Sequence, residues 1–93
     1  MSQIELVKAR SARALKGLRL EVEFSDGSSG VASLEDFVRI GPMMAPLNDP
    51  EFFSQVFLEM GVPTWPNGCD IDPTALRMKM KEAGALRRPM AAE

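Results

Sequence analysis

Pro63-Thr64-Trp65-Pro66-Asn67-Gly68-Cys69-Asp70-Ile71-Asp72-Pro73 is the stretch on which the reading of this chain turns. Its eleven positions hold the only Trp, the only Cys, three prolines and two carboxylates. Physically it reads as a strand end, a tight turn and a helix start in immediate succession. Asn67-Gly68 supplies two residues that tolerate positive φ. Asp72 is placed to cap a helix whose first residue is Pro73, where the missing N–H of proline costs nothing.

Working outward, Pro73 to Ala83 is the one long helix. Leu76, Met80 and Ala83 fall on one face, Arg77, Lys79 and Lys81 on the solvated one, and Gly84 closes the helix in a left-handed conformation. Upstream, Val62 to Trp65 is a short strand whose prolines, Pro63 and Pro66, are confined to a sheet edge or to the strand's own ends, and Gln55 to Met60 is the strand before it. Asp49-Pro50 repeats the cap-and-proline signal for a single turn that sends Phe52 and Phe53 into the core.

The clearest strand is Leu18 to Phe24, with Leu18, Leu20, Val22 and Phe24 on one face and Arg19, Glu21 and Glu23 on the other. Asp26-Gly27 turns it into a third strand, Ser28 to Ala32, in which Gly30 marks a weak point or a bulge. Ile4 to Ala14 reads as the first strand, although its Ala and Lys content also suits a helix. Ser33 and Asp36 resemble a capping box for a short helix, Leu34 to Val38, ended by Gly41-Pro42. Met43 to Leu47 is irregular. The expected architecture is a two-layer α+β domain. An antiparallel sheet of about five strands carries short helices on one face, in the order three strands, helix, two strands, helix. Residues 1–86 form a single domain and 87–93 a flexible tail.

Composition narrows the function. Ninety-three residues make one small domain with a modest core. One Cys excludes an internal disulfide and suits a reducing compartment. No His is present, which removes the commonest general base and transition-metal ligand. No apolar run approaches the ~20 residues of a membrane span, and the N-terminus shows no signal-peptide pattern. The expectation is a cytoplasmic protein without membrane contact.

The net charge of −2 conceals an uneven distribution: +4 over residues 1–19, −9 over residues 20–72 and +3 over residues 73–93. The plain reading is that basic ends and acidic middle neutralise each other within the fold or across a dimer. The sharper one is a basic face for nucleic acid, which the overall acidic balance disfavours.

Two stretches together resemble one family. Gly41-Pro42-Met43-Met44-Ala45-Pro46-Leu47-Asn48-Asp49-Pro50-Glu51-Phe52-Phe53 is similar to a "GP…PL.DP..F" segment, and Trp65 to Pro73 to a "WPNG.D..P" signature, of the small bacterial domain of unknown function 2442. The hairpin around Asp26-Gly27 matches in kind and spacing, so the resemblance spans about residues 5 to 82. It implies a two-layer α+β domain of the bacterial cytosol. Some relatives carry a helix-turn-helix domain after this one, a segment these 93 residues do not contain. Relatives are often encoded beside a small protein of the unknown-function 4160 family, which implies by association a toxin–antitoxin-like pair. The family motif often has a small residue such as Ala where Cys69 stands.

Candidate sites follow. Asp70 and Asp72, with Glu59 nearby, read as an acid pair or hard-metal site. Against this, Asp72 serves as a cap, Asp70 can bond the turn's own amides, and the ligand cluster a metal needs is missing. Cys69 lacks a base and reads as a buried thiol. Trp65 is either a stacking platform for a base, a peptide or another small ligand, or a core anchor with one edge exposed. Met43, Met44, Met60, Met78 and Met80 read as gap-fillers. The sequence therefore points to no catalytic residue, cofactor or metal. It points instead to a non-enzymatic module that binds a protein partner or itself, most readily as a homodimer. Trp65, Pro66, Asn67, Gly68, Asp70, Asp72 and Pro73 form the motif of interest. A nucleic-acid-binding or regulatory role through the basic ends is the alternative.

Overall fold

Leu20, Val22 and Phe24 are fully buried while Arg19 and Glu23 between and beside them are exposed, so the alternation read from the sequence is a strand, β2 (Arg19–Phe24). The computed structural model describes residues 6–39 and 42–87. β2 is the middle of a three-stranded antiparallel sheet with β1 (Ala9–Leu15) on one side and β3 (Ser29–Ser33) on the other. A separate hairpin, β4 (Phe57–Glu59) and β5 (Val62–Thr64), makes the fourth and fifth strands. The fold is α+β with antiparallel sheets and short helices, as expected. The five strands divide three and two, and at the outer edge of β5 Pro63 has no N–H to offer a further strand while its carbonyl accepts from the Ile71 N–H at 3.1 Å. Gly61 links the two sheets by a backbone bond, accepting from the Ala9 N–H at 2.8 Å.

β1 starts later than the alternation implied. Ile4 and Glu5 lie outside the described residues. Leu6 to Lys8 have no regular structure, and the Val7 N–H donates to Thr74 Oγ1 at 3.3 Å instead of to a strand. A register shift between Ala9 and Ser11 marks a bulge. Leu18, expected in the second strand, sits in the preceding turn at φ 57° beside Gly17 at φ 80°, because the chain reverses there within three residues. Gly30 neither weakens β3 nor bulges it, since the register runs unbroken from Ser29 to Ser33. A Cβ at Gly30 would lie 2.7 Å from the Ala85 carbonyl oxygen and 2.9 Å from Met80 Sδ, so glycine is there to admit the helix end.

α1 (Pro50–Phe53) and α2 (Pro73–Glu82) carry the caps read from the sequence: Asp49 Oδ1 accepts from the Glu51 N–H and Asp72 Oδ1 from the Thr74 N–H, each at 3.0 Å. α1 buries Phe53 and leaves Phe52 only partly covered. At the end of α2, Gly84 (φ 72°) donates to the Lys81 carbonyl and Ala85 to the Met80 carbonyl, the paired bonds of a left-handed helix stop. The expected helix over Leu34 to Val38 shrinks to a 3-10 turn, Phe37–Arg39. Its capping box does not form: Asp36 turns to Lys79 Nζ at 3.3 Å and leaves Ser33 to accept one N–H, from Glu35. The Gly41 stop lies outside the described residues. The stretch read as irregular holds a second 3-10 turn, Ala45–Asn48.

The inner face of the three-stranded sheet, the α2 face and the Phe53–Trp65 region enclose one core containing Leu20, Val22, Phe24, Leu34, Leu47, Trp65, Leu76 and Met80. Ala83, expected on this face, is exposed at the helix end, and Arg77, expected in solvent, is buried. Among the described residues no helix is long and apolar enough to cross a membrane.

Candidate interaction surface

The 63–73 motif is a hairpin turn that delivers the chain from β5 to α2. The Gly68 N–H donates to the Trp65 carbonyl, and the Trp65 N–H to the Cys69 carbonyl, each at 2.9 Å. Pro66 leads the turn and Gly68 takes φ 88°, a three-residue loop of the bulged type. Only Gly68 adopts positive φ; Asn67 contributes its side chain. Its Oδ1 accepts from the Cys69 N–H at 3.0 Å and its Nδ2 donates to the Met43 carbonyl at 3.1 Å, tying the turn to the 42–48 loop. The sequence had given the first of these tasks to Asp70, which lies exposed on the far side of the turn and pairs through its backbone with Thr64.

Trp65 has no exposed surface. Its ring stacks on Phe53 with centroids 5.8 Å apart, and its Nε1–H donates to the Phe53 carbonyl at 2.9 Å. The exposed edge expected for a ligand or partner is therefore missing: the indole needs a partner for its one polar atom, and the α1 end supplies one inside the core. Cys69 is buried against Met44. Desolvation pushes its thiol pKa up, and the adjacent Asp70 carboxylate adds to the shift, so the thiolate needed for nucleophilic chemistry is suppressed. Pro73 is buried as the first residue of α2.

A second turn is built the same way. Asp26 Oδ1 accepts from the Ser28 N–H at 3.0 Å and Gly27 takes φ 90°. Here the carboxylate also anchors α2. Asp26 Oδ2 pairs with Arg77 Nη2 at 3.1 Å, and Arg77 Nε donates to the fully buried Ser28 Oγ at 3.3 Å. Partial burial works to raise the Asp26 pKa, but the Ser28 hydroxyl and amide and the Arg77 charge outweigh it, so the carboxyl lies below its ordinary 3.8.

Arg77–Asp26 belongs to a pattern. Arg10 pairs with Glu23 at 2.9 Å, Arg13 with Glu21 at 2.8 Å and Lys79 with Asp36 at 3.3 Å. Each pair joins a basic end of the sequence to its acidic middle. The uneven linear charge is thus partly neutralised inside the fold, and Arg10 and Arg13, on β1, offer no uncompensated basic stripe for nucleic acid.

The strand edges are defended unequally. β1 has a bulge, two arginines and the Gly61 contact; β5 has Pro63. β3, Ser29-Gly30-Val31-Ala32-Ser33, has neither charge, proline nor bulge. Its outer edge is bonded at one place, where Ser29 and Arg87 exchange two backbone hydrogen bonds of 2.9 and 2.7 Å. Arg87 was expected to start the flexible tail; that pairing fixes it, and 88–93 lie outside the described residues. Beside this edge runs a groove of about 360 Å³, lined by Glu21, Ser29–Val31 and Gly84–Arg87.

The family model described as protein of unknown function (DUF2442) matches residues 9–82. The chain belongs to this family. Among solved structures, the putative DNA-binding protein of Nitrosomonas europaea is similar to this DUF2442 domain. The two share 25% sequence identity and a TM-score of 0.64 over 90% of this chain. The chain spans 56% of the length of that structure. No curated protein matches the chain.

Within the DUF2442 domain, Trp65 and Pro73 of the motif are buried, while Pro66, Asn67, Gly68, Asp70 and Asp72 are exposed, Asn67 and Asp72 with their side chains bonded to backbone N–H groups. The residues that sequence reasoning missed are Val31 and Ser33 on the open edge and the buried Arg77. The uncharged run Ser28 to Ser33 was the available signal for the edge. For Arg77, which sits next to Leu76 on the helix, no local signal exists.

Proposed function

We propose that this DUF2442 domain is a non-enzymatic protein-interaction module that accepts an extended strand at the outer edge of β3. The supporting observation is the asymmetry of these edges: β1 and β5 carry devices that discourage strand addition, whereas β3 has no charge, proline or bulge and is covered only at Ser29, by Arg87. An added strand gains main-chain hydrogen bonds at such an edge and takes its specificity from flanking side chains. The sequence pointed to the motif around Trp65 for this contact; complete burial of that ring leaves the β3 edge as the proposed place.

The name of the Nitrosomonas europaea neighbour favours a second reading, a domain that acts within a DNA-binding protein. The ion pairs between basic ends and acidic middle among the described residues argue that any DNA contact resides outside this domain.

The experiment is capture of the full chain with its endogenous partners from the native host, alongside titration with duplex DNA at several salt concentrations. A protein recovered in stoichiometric amount and lost on β3-edge substitution supports the module. A shift with DNA whose affinity falls steeply with salt supports the second reading and counts against the first.

A further inference from the structure

We propose that the occupant of the β3 edge is a second copy of this chain, paired antiparallel across a two-fold axis with Val31 of each copy against Ser33 of the other. This rests on the reading of the domain as an interaction module and names its partner.

The register follows from the backbone. Phe24 donates to the Ser28 carbonyl, so Phe24, Val22 and Leu20 point toward β3, and their partners Gly30 and Ala32 point back. Ser29, Val31 and Ser33 therefore direct their N–H and C=O groups outward, as the Ser29–Arg87 bonds show for the first of them. Ala85 passes beneath Gly30 on the inner face, and the segment reaches the edge only at Arg87. Among the described residues, the edge is closed at Ser29 and open at Val31 and Ser33. A two-fold pairing of Val31 with Ser33 uses both open positions twice and meets no obstruction within the strand.

The side chains agree with that register. Val31 and Ser33 are uncharged, so no like charges oppose each other on the outer face. Beyond Ser33 the chain continues to Glu35, which is exposed. Antiparallel pairing carries Glu35 of the second copy toward the exposed Arg87, at the groove between Val31 and the Gly84–Arg87 segment. Symmetry makes this attraction twice. Glu21, the carboxylate lining the same groove, is already held by Arg13 at 2.8 Å. The complementary charges lie on one chain, at the two ends of the same open edge, which is what favours self-pairing over a foreign strand.

Light scattering on the full chain at tens of micromolar tests the proposal, with a mass of two chains expected. Val31→Pro removes an outward N–H while the β2 ladder, carried by Gly30 and Ala32, remains, and should give a one-chain mass with unchanged far-ultraviolet circular dichroism. Should that variant not fold, charge exchange decides: Arg87→Glu and Glu35→Arg should each weaken the dimer by about tenfold, and the two in one chain should restore it. A one-chain mass for the unaltered protein overturns the proposal, as does a dimer indifferent to these changes. A monomer that still captures a different protein from its host would overturn self-pairing and leave the interaction module standing.

Discussion

Trp65 and Phe53 are joined twice, by rings stacked 5.8 Å apart and by the indole N–H on the Phe53 carbonyl at 2.9 Å. This double contact fastens the end of α1 to the turn after β5. Trp65→Phe keeps a ring but strands a buried carbonyl, and should cost about 2 kcal/mol, from the ~1–3 kcal/mol of an unsatisfied buried group. Urea denaturation measures it. A loss below about 0.5 kcal/mol would show that the carbonyl finds another donor.

Asp72→Ala should destabilise the domain by about 1 kcal/mol, the usual loss on removing a side-chain cap, because the Thr74 N–H loses its 3.0 Å acceptor. An unchanged thermal midpoint would contradict this role.

Gly68→Val should be more damaging than Cys69→Ala. Nothing lies within 4 Å of a Cβ at Gly68, so the cost comes from its φ of 88° alone and should amount to about 1–3 kcal/mol. Cys69→Ala removes only a buried sulfur from a turn held by Asn67. The two variants are compared by denaturation, and loss of partner binding by folded Cys69→Ala would show the thiol to be more than packing.

Asp26→Asn tests the Ser28–Arg77 cluster through pH. The folded carboxyl lies below its unfolded value of 3.8, so its contribution is present above that value and is lost as pH falls through the folded pKa. At pH 7 the substitution should cost about 1–2 kcal/mol in charge-assisted hydrogen bonds. The gap between wild type and variant should narrow below about pH 4. A gap that is constant with pH would mean the carboxylate charge contributes nothing.

Met60 is 83% exposed at φ 53°, first in the two-residue turn Met60-Gly61 between β4 and β5. Asn tolerates this conformation and Asn-Gly is the favoured pair for it. Met60→Asn should therefore stabilise the domain by about 0.5–1 kcal/mol, part of the ~1–2 kcal/mol that left-handed backbone costs an ordinary residue. Calorimetry checks this, and a lower melting temperature would reveal a packing role for the methionine.

Local chemistry made several of these features legible in the residues themselves. Asp49-Pro50 and Asp72-Pro73 announce helix starts because cap and proline act within one turn. Asp26-Gly27 and Asn67-Gly68 announce reversals because glycine takes positive φ at no steric cost. The alternation of Leu20, Val22 and Phe24 gave β2 its buried face. What only the tertiary structure decided are relations between distant positions. The division of five strands into two sheets, the reason for Gly30 under Ala85, the burial of Arg77 against Asp26 and of the whole Trp65 ring all depend on which element arrives opposite. The open edge of β3 belongs with them: its outward N–H and C=O groups exist in every strand, and only the path of residues 84–87 determines which of them stay uncovered.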